Sequence, residues 1–107
     1  MRKEKIKVIV KRPDEAVGHF EEIENTLASF QKIVDGHIEV VGLPEGALLI
    51  CNEEGKLEMF PPNISVPGDL IMGTVAVVGQ DGEEFGDCPY LLATWRAHLA
   101  RWGNKVW

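Results

Sequence analysis

Residues 47–51 constrain the fold of this chain more than any other stretch, because all five of them are apolar. A strand that lies at a wet face of a sheet presents a polar side chain at every second position, and this segment has none. It is therefore predicted to be a central strand that is covered on both faces. A chain of 107 residues is long enough to bury such a core without disulfide or metal support.

Further strands are predicted around this central segment. Alternation of apolar and polar residues, or enrichment in Val and Ile, identifies residues 5–12, 16–24, 37–43 and 70–79 as extended. The turn Pro44-Glu45-Gly46 joins residues 37–43 to the central strand as a hairpin. After the polar turn at 52–55, residues 56–60 are a candidate to pair back against it.

Two segments carry apolar residues at helical spacing. In the first, Asn25-Thr26 supplies an N-cap and Asp35-Gly36 ends the helix, with an apolar stripe of Leu27, Phe30, Ile33 and Val34. The second is predicted from Pro89 to about Trp102 with Gly103 after its end. Its apolar side consists of Leu91, Leu92, Trp95, His98, Leu99 and Trp102.

Residues 60–69 contain three prolines and are predicted to form a rigid surface loop with little regular structure. The chain as a whole is predicted to be a small α+β protein, a single domain over residues 1–107. A mainly antiparallel sheet of about five strands packs against two helices.

The net charge of −6 conceals a strong asymmetry along the chain. Residues 1–12 carry a net charge of +5 and residues 90–107 carry +3, whereas residues 13–89 carry −14. If the termini lie on one side of the fold, the molecule has a basic face and a broad acidic face. The acidic face would steer the protein toward a basic partner surface; the alternative is that both faces are simply solvated.

The sequence also predicts where the protein works. No apolar stretch approaches the roughly 20 residues of a membrane helix, and the short apolar run near the start contains Lys7 and is too short for a signal peptide. Cys51 and Cys88 lie 37 positions apart and are predicted to be free thiols. We therefore expect a cytoplasmic protein with no membrane association.

The first candidate site combines a polar turn with a loop stiffened by proline. Such a preorganised surface favours ligand or partner binding, because little conformational entropy is lost on contact. The residues are Asn52, Glu53, Glu54, Lys56, Pro61, Pro62 and Asn63. The structural alternative is that Asn-x-x-Gly is ordinary turn chemistry and that Asn63 satisfies backbone groups of its own loop.

Catalytic and metal chemistry find little support in the residue spacing. The paired acids at 53–54 and 83–84 point apart on a strand or turn, and residues 81–84 lack the spacing of a calcium loop. The histidines and cysteines share no zinc or nucleophile-base spacing, and no glycine-rich phosphate loop is present. The sequence thus identifies no catalytic residue, no metal ligand and no cofactor, which favours a non-enzymatic role without deciding it.

The last candidate is the C-terminal tail, where Trp95, Trp102 and Trp107 alternate with Arg96, Arg101 and Lys105. Aromatic and basic residues together suit either nucleic-acid stacking or a protein-binding hot spot. The alternative for Trp95 and Trp102 is that both face the core from one side of the helix. Trp107 lies beyond that stripe and predicts a contact with a partner or with a second copy of this chain.

Residues 25–79 resemble a family of small uncharacterised proteins encoded by phages, plasmids and other mobile elements, chiefly of Gram-positive bacteria. The resemblance rests on Asn25-Thr26-Leu27, residues 36–41, residues 49–57, Pro61-Pro62-Asn63 and residues 73–79. It implies a mobile-element origin and an accessory role, in a domain of unknown function without established catalytic residues. The tail from Trp95 to Trp107 lies outside the resemblance.

The leading hypothesis is a non-enzymatic accessory or regulatory protein of a phage or mobile element that binds a host or phage protein. One form of it is an acidic inhibitor that imitates DNA. The alternative is a small-molecule or nucleotide-binding domain that uses the loops from Asn52 to Asn63, which a concave pocket would favour over a flat patch. Nucleic-acid binding through the basic ends and a homo-oligomer formed through the Trp-rich tail also stay open.

Overall fold

The computed structural model describes residues 3–107. Its elements are β1 (Lys5–Lys11), β2 (His19–Glu24), α1 (Leu27–Val34), β3 (Ile38–Gly42), β4 (Leu48–Asn52), β5 (Pro62–Val66), β6 (Asp69–Met72), β7 (Val75–Asp81), β8 (Glu84–Gly86) and α2 (Leu92–Arg101). A short 3-10 turn, Pro44–Gly46, lies between β3 and β4.

Five strands form the main sheet in the order β2-β1-β7-β4-β3, and each neighbouring pair is antiparallel. β8 pairs with the end of β7, while β5 and β6 form a separate two-stranded hairpin. This arrangement confirms the predicted α+β fold, with its mainly antiparallel sheet of about five strands and its two helices.

β7 lies at the centre of the main sheet, where Val77 pairs with Ile9 of β1 on one side and Leu49 of β4 on the other. Because side chains alternate along a strand, successive residues of β7 enter different cores. Val75 and Val77 enter one core, and Ala76 and Val78 enter the other. The predicted double coverage of residues 47–51 is confirmed, since Leu49 and Ile50 of β4 are fully buried on opposite faces.

Each helix covers a different face of the main sheet. α1 begins after Thr26, whose side-chain oxygen accepts a hydrogen bond from the Ser29 N–H at 3.2 Å, and it buries Phe30 and Val34 against one face. α2 and the β5–β6 hairpin cover the other face, where Trp95 and Ile64 are buried. The molecule therefore has three layers, with the sheet in the middle.

The prediction of an irregular loop at residues 60–69 was wrong. Residues 62–66 form β5, which buries Ile64 and Val66, and Pro67-Gly68 makes a tight turn into β6 with Gly68 at φ 83°. Pro62 lies at the first residue of β5, where a missing N–H costs least, and Pro67 lies in the turn. Neither proline interrupts the hairpin.

Other element boundaries also differ from the predictions. The strand predicted at 70–79 is two strands, because Gly73 turns the chain at φ 83° between β6 and β7. Residues 56–60 form a tight turn rather than a strand, and the three-residue strand β8 was not predicted. α2 begins at Leu92 rather than at Pro89, so Leu91 stays 72% exposed instead of joining the apolar stripe.

No helix within residues 3–107 is long and apolar enough to cross a membrane. Cys51 and Cys88 are both buried and free, in agreement with the predicted thiols.

Candidate functional site

The fold divides the residues of the first candidate site between separate places and brings Asn63 to the same cleft as Trp107 of the tail. Asn52, Glu53, Glu54 and Lys56 line a cleft of about 260 Å³ beside β3, β4 and β6. Asn63 and Trp107 line a different cleft, of about 320 Å³, at the end of β1. Pro61 borders a third hollow near the end of α1, and Pro62 is exposed at the start of β5.

Asn52 holds the end of α1 against β4. Its side-chain N–H group donates to the carbonyl oxygens of Val34 and Asp35, each at 3.1 Å, and its Oδ1 accepts the Glu54 N–H at 2.7 Å. The side chain is only 8% exposed. With its polar atoms engaged inside the protein, Asn52 shapes the turn that follows β4 and offers little to an outside molecule.

The turn after β4 winds through one tight helical turn before β5 begins. The Glu58 N–H donates to the Glu54 carbonyl at 2.8 Å, and the Phe60 N–H donates to the Gly55 carbonyl at 3.1 Å. This hydrogen-bond pattern ends the helical turn at Met59, whose φ of 57° is in the left-handed region. Glycine is the usual residue at such a position, because a Cβ there costs roughly 1 kcal/mol or more.

The same turn carries the two most exposed large apolar side chains next to the first cleft. Leu57 is 82% exposed and Met59 is 86% exposed, and Leu70 of β6, which lines the cleft together with Leu57, is 42% exposed. Three acids line the cleft with Leu57 and Leu70, namely Glu39 of β3 together with Glu53 and Glu54, while Met59 follows Leu57 in the same turn. We call these six residues the turn surface.

The turn surface is electrically negative. Glu39, Glu53 and Glu54 form no ion pair with another residue of the described chain, residues 3–107. Among residues 3–107, Lys56 is the one cation that lines the cleft, and its Nζ lies 2.6 Å from Asp69 Oδ1, which lowers the pKa of that carboxyl. The charge of Lys56 is thereby largely neutralised, so the acids define the surface.

Cys51 lines the same cleft but is unsuited to nucleophilic chemistry. Burial raises the pKa of its thiol to about 11, and the negative charges of Glu39 and Asp69 add to the effect. The thiolate is the reactive form of cysteine, so the thiol is inert at neutral pH. Among residues 3–107, no group of three or more His, Cys, Asp or Glu side chains is placed to hold a metal ion.

Asn63 joins the start of β5 to the main sheet. Its side-chain N–H group donates to the carbonyls of Lys11 and Gly73, both at 2.8 Å, and its Oδ1 accepts the Lys11 ammonium at 2.5 Å. These bonds satisfy backbone groups of β1 and of the turn at Gly73, whereas the structural alternative expected Asn63 to bond within its own loop. They also bring the Lys11 Nζ to the second cleft.

The three tryptophans of the tail have different environments. Trp95 is fully buried and donates its Nε1–H to the Val17 carbonyl at 2.9 Å. Trp102 packs against it at 6.0 Å between ring centroids. Trp107 is 83% exposed at the rim of the second cleft, with the Lys105 Nζ at 5.4 Å from the centre of its ring. Only Trp107 is available to an outside molecule.

A family model described as a domain of unknown function, DUF3846, matches residues 6–100. The chain belongs to the DUF3846 family. The match contains the turn surface, Lys11 and Asn63, whereas Lys105 and Trp107 lie beyond it. The resemblance to a domain of unknown function is thereby confirmed. No curated protein and no solved structure matches this DUF3846 chain.

Several residues of these two clefts were missed by reasoning from the sequence. Leu57 and Met59 were assigned to a candidate strand, where both side chains would lie on the same face. Lys11 was not among the predicted site residues, although Ile9 lies on the same side of β1 and is fully buried. That apolar residue on the lysine-bearing face was the signal that this face of β1 is covered.

Proposed function

We propose that this DUF3846 protein is a non-enzymatic accessory protein that binds a partner protein through the turn surface. The observation that carries the proposal is Met59, which combines a strained backbone at φ 57° with a side chain that is 86% exposed. Folding gains almost nothing from that side chain, and glycine would remove the strain. Backbone strain of this kind is typical of functional surfaces, where a contact outside the fold requires the side chain.

The chemistry of the turn surface indicates what kind of partner it fits. Leu57 and Met59 are flexible apolar side chains, and methionine adapts readily to an apolar pocket of a partner. Glu39, Glu53 and Glu54 line the cleft beside Leu57 and form no ion pair with a cation of residues 3–107. The complementary partner is a protein with an apolar pocket ringed by Lys and Arg.

The wider setting of the proposal is an accessory or regulatory role in a phage or mobile element, acting on a host or phage protein in the cytoplasm. The resemblance of residues 25–79 to mobile-element proteins supports the origin. Two buried cysteines that remain free support a reducing compartment.

The proposal is tested by affinity capture from nuclease-treated lysates of Gram-positive bacteria, read by mass spectrometry. Wild-type protein is compared with the double variant Leu57→Ser/Met59→Ser. The matched control is Leu91→Ser, since Leu91 is also strongly exposed, at 72%, but lies before α2 and outside the turn surface. We expect one stoichiometric protein to be recovered by the wild type and by the control and to be lost with the double variant.

A second experiment tests whether the captured protein binds directly. The recovered protein, once purified, is expected to bind the wild type with an affinity that falls as salt rises, because the acidic rim contributes through unscreened charge. Equal recovery by the double variant, or recovery only when nuclease is left out, would overturn the proposal.

A further inference from the structure

Lys11 is the only lysine or arginine among the buried polar residues of the described chain, with a residue exposure of 3%. Its Nζ donates to Asn63 Oδ1 at 2.5 Å. An ammonium group carries three N–H donors. The other two have no acceptor within residues 3–107, and no carboxylate oxygen of that range lies within 4.0 Å of the Nζ.

The carboxylates nearest in the chain are directed elsewhere. Glu15 Oε1 accepts the Arg12 N–H at 2.9 Å, and Glu15 Oε2 lies 2.7 Å from His19 Nδ1. Burial lowers the pKa of Lys11, and the charges of Glu15 and Asp14 oppose that effect. Within residues 3–107, carboxylates act on the Lys11 ammonium only from beyond contact distance, so two of its N–H donors are left for an acceptor from outside the fold.

The Lys11 ammonium stands beside open space. The cleft of about 320 Å³ is lined by Lys11 and Asn63 on the side of the sheet and by Asn104, Lys105 and Trp107 on the side of the tail. We call it the Lys11 cleft. Asn104 is fixed there by its hydrogen bonds to the Ser65 N–H at 2.8 Å and the Ser65 carbonyl at 2.9 Å. The tail thus holds Trp107 at the rim.

We propose that the Lys11 cleft binds a small aromatic anion, whose carboxylate or phosphate accepts hydrogen bonds from the free Nζ donors of Lys11 and whose ring stacks on Trp107. An anion there contacts the Lys11 ammonium directly, which neither Asp14 nor Glu15 does. An aromatic ring on Trp107 gains stacking without displacing any core contact, because that side chain is 83% exposed.

The size and charge of the Lys11 cleft limit the class of ligand. Its volume is at the lower end of the roughly 300–1,000 Å³ typical of ligand sites, which suits one ring with one anionic group. Asp14 and Glu15 also line the cleft and repel ligands with several negative charges. Nucleoside triphosphates and nucleic-acid strands are therefore disfavoured relative to ligands with a single carboxylate or phosphate group.

The test is an NMR titration that follows the side-chain amide resonances of Asn63. The probes are indole-3-acetate and phenyl phosphate, with indole as a neutral ring and acetate as an anion without a ring. We expect saturable shifts with the two aromatic anions and at least tenfold weaker binding of indole and acetate, since tenfold corresponds to the loss of one good contact of about 1.4 kcal/mol. The tighter of the two aromatic anions identifies carboxylate or phosphate as the preferred group.

Two variants and a control locate the binding. Lys11→Met keeps the shape of the side chain and is expected to fold but to bind at least tenfold more weakly. Trp107→Ala changes only an exposed residue, so its expected loss of affinity cannot come from misfolding. Lys56→Met, a lysine in the other cleft, should bind like the wild type. Absence of Asn63 shifts with any probe up to about 1 mM, or unchanged binding by Trp107→Ala, would overturn the proposal.

Discussion

Met59 is a residue that destabilises the folded state of the protein. Replacing it with glycine removes the Cβ from a left-handed position at φ 57° and deletes a side chain that is 86% exposed. We expect Met59→Gly to raise the free energy of unfolding by about 1 kcal/mol, measured by urea denaturation.

The matched control for this prediction is Leu57→Gly, two residues earlier in the same turn. Leu57 is 82% exposed and is not among the residues with positive φ, so glycine brings only its entropic cost, roughly 0.5–1 kcal/mol of destabilisation. If Met59→Gly destabilised the protein as much as Leu57→Gly does, the backbone strain at Met59 would be negligible.

His19 makes the stability of the protein depend on pH near neutrality. Its Nδ1 lies 2.7 Å from Glu15 Oε2 and its Nε2 lies 2.6 Å from Glu21 Oε2, and these hydrogen bonds, that of Glu15 first, raise its pKa above the ordinary 6.5. Because the pKa of His19 is higher in the folded state than in the unfolded state, protonated His19 stabilises the fold. This stabilisation is complete at pH values below the unfolded-state pKa and is lost as pH rises through the folded-state pKa.

The variant His19→Gln isolates this contribution. The wild type should exceed the variant in stability more at about pH 5.5 than at about pH 8.5, by less than about 1 kcal/mol because the site is partly exposed and screened. Urea denaturation at both pH values measures the difference. A gap that is constant with pH, or that widens as pH rises, would contradict the prediction.

At the scale of elements, the end of β7 depends on the absence of a side chain at Gly79. A Cβ at this position would lie 2.1 Å from the carbonyl oxygen of Asp87, which belongs to the segment after β8 and cannot move aside as a side chain would. We expect Gly79→Ala to cost about 3 kcal/mol or more, with loss of the β7–β8 pairing detected by amide hydrogen exchange.

The control for this substitution is Gly42→Ala at the end of β3. Nothing lies within 4 Å of a Cβ at Gly42, and its φ is not in the left-handed region. Alanine there should be neutral or slightly stabilising, through the reduced entropy of the unfolded chain. If Gly79→Ala were as neutral as Gly42→Ala, the chain after β8 would have moved aside and the close approach would carry no cost.

The helices and strands differ in how well the sequence predicted them. α1 and the β3–β4 hairpin were predicted within about one residue of their bounds because their signals are local: a capping Thr26, an apolar stripe, and a turn at residues 44–46. The β5–β6 hairpin was missed because prolines were counted as obstacles. A Pro-Gly pair between apolar residues is itself a hairpin signal, with Pro67 and Gly68 in the two central turn positions.

The candidate site was only partly predictable for a different reason. The polar turn after β4 was identified, but Asn52 is turned inward while the residues that face outward include Leu57 and Met59. Lys11 and Asn63 are separated by 52 positions and meet only because β5 folds back beside β1. A contact across two sheets leaves no trace in local spacing.

At the scale of the whole molecule, the two cores share the strands of one sheet and should unfold together. Ile6 is 1% exposed and packs in the core under α1, whereas Trp95 lies in the core on the opposite face. Ile6→Val should cost about 0.5–1.5 kcal/mol. Tryptophan fluorescence, which reports on the core around Trp95, should show the same change in urea midpoint as circular dichroism. A fluorescence midpoint that stays at the wild-type value would mean that the two faces unfold separately.

The central position of β7 has a consequence for how the chain leaves the ribosome. β7, which joins β1 to β4, is synthesised after both of them. Until then the edge of β1 and the edge of β4 that will pair with β7 have no partner strand. The main sheet can close only when Val75–Asp81 has been synthesised. During translation the strands that precede β7 therefore lack the strand that joins them, and the nascent polypeptide completes its main sheet only after β7 has been made.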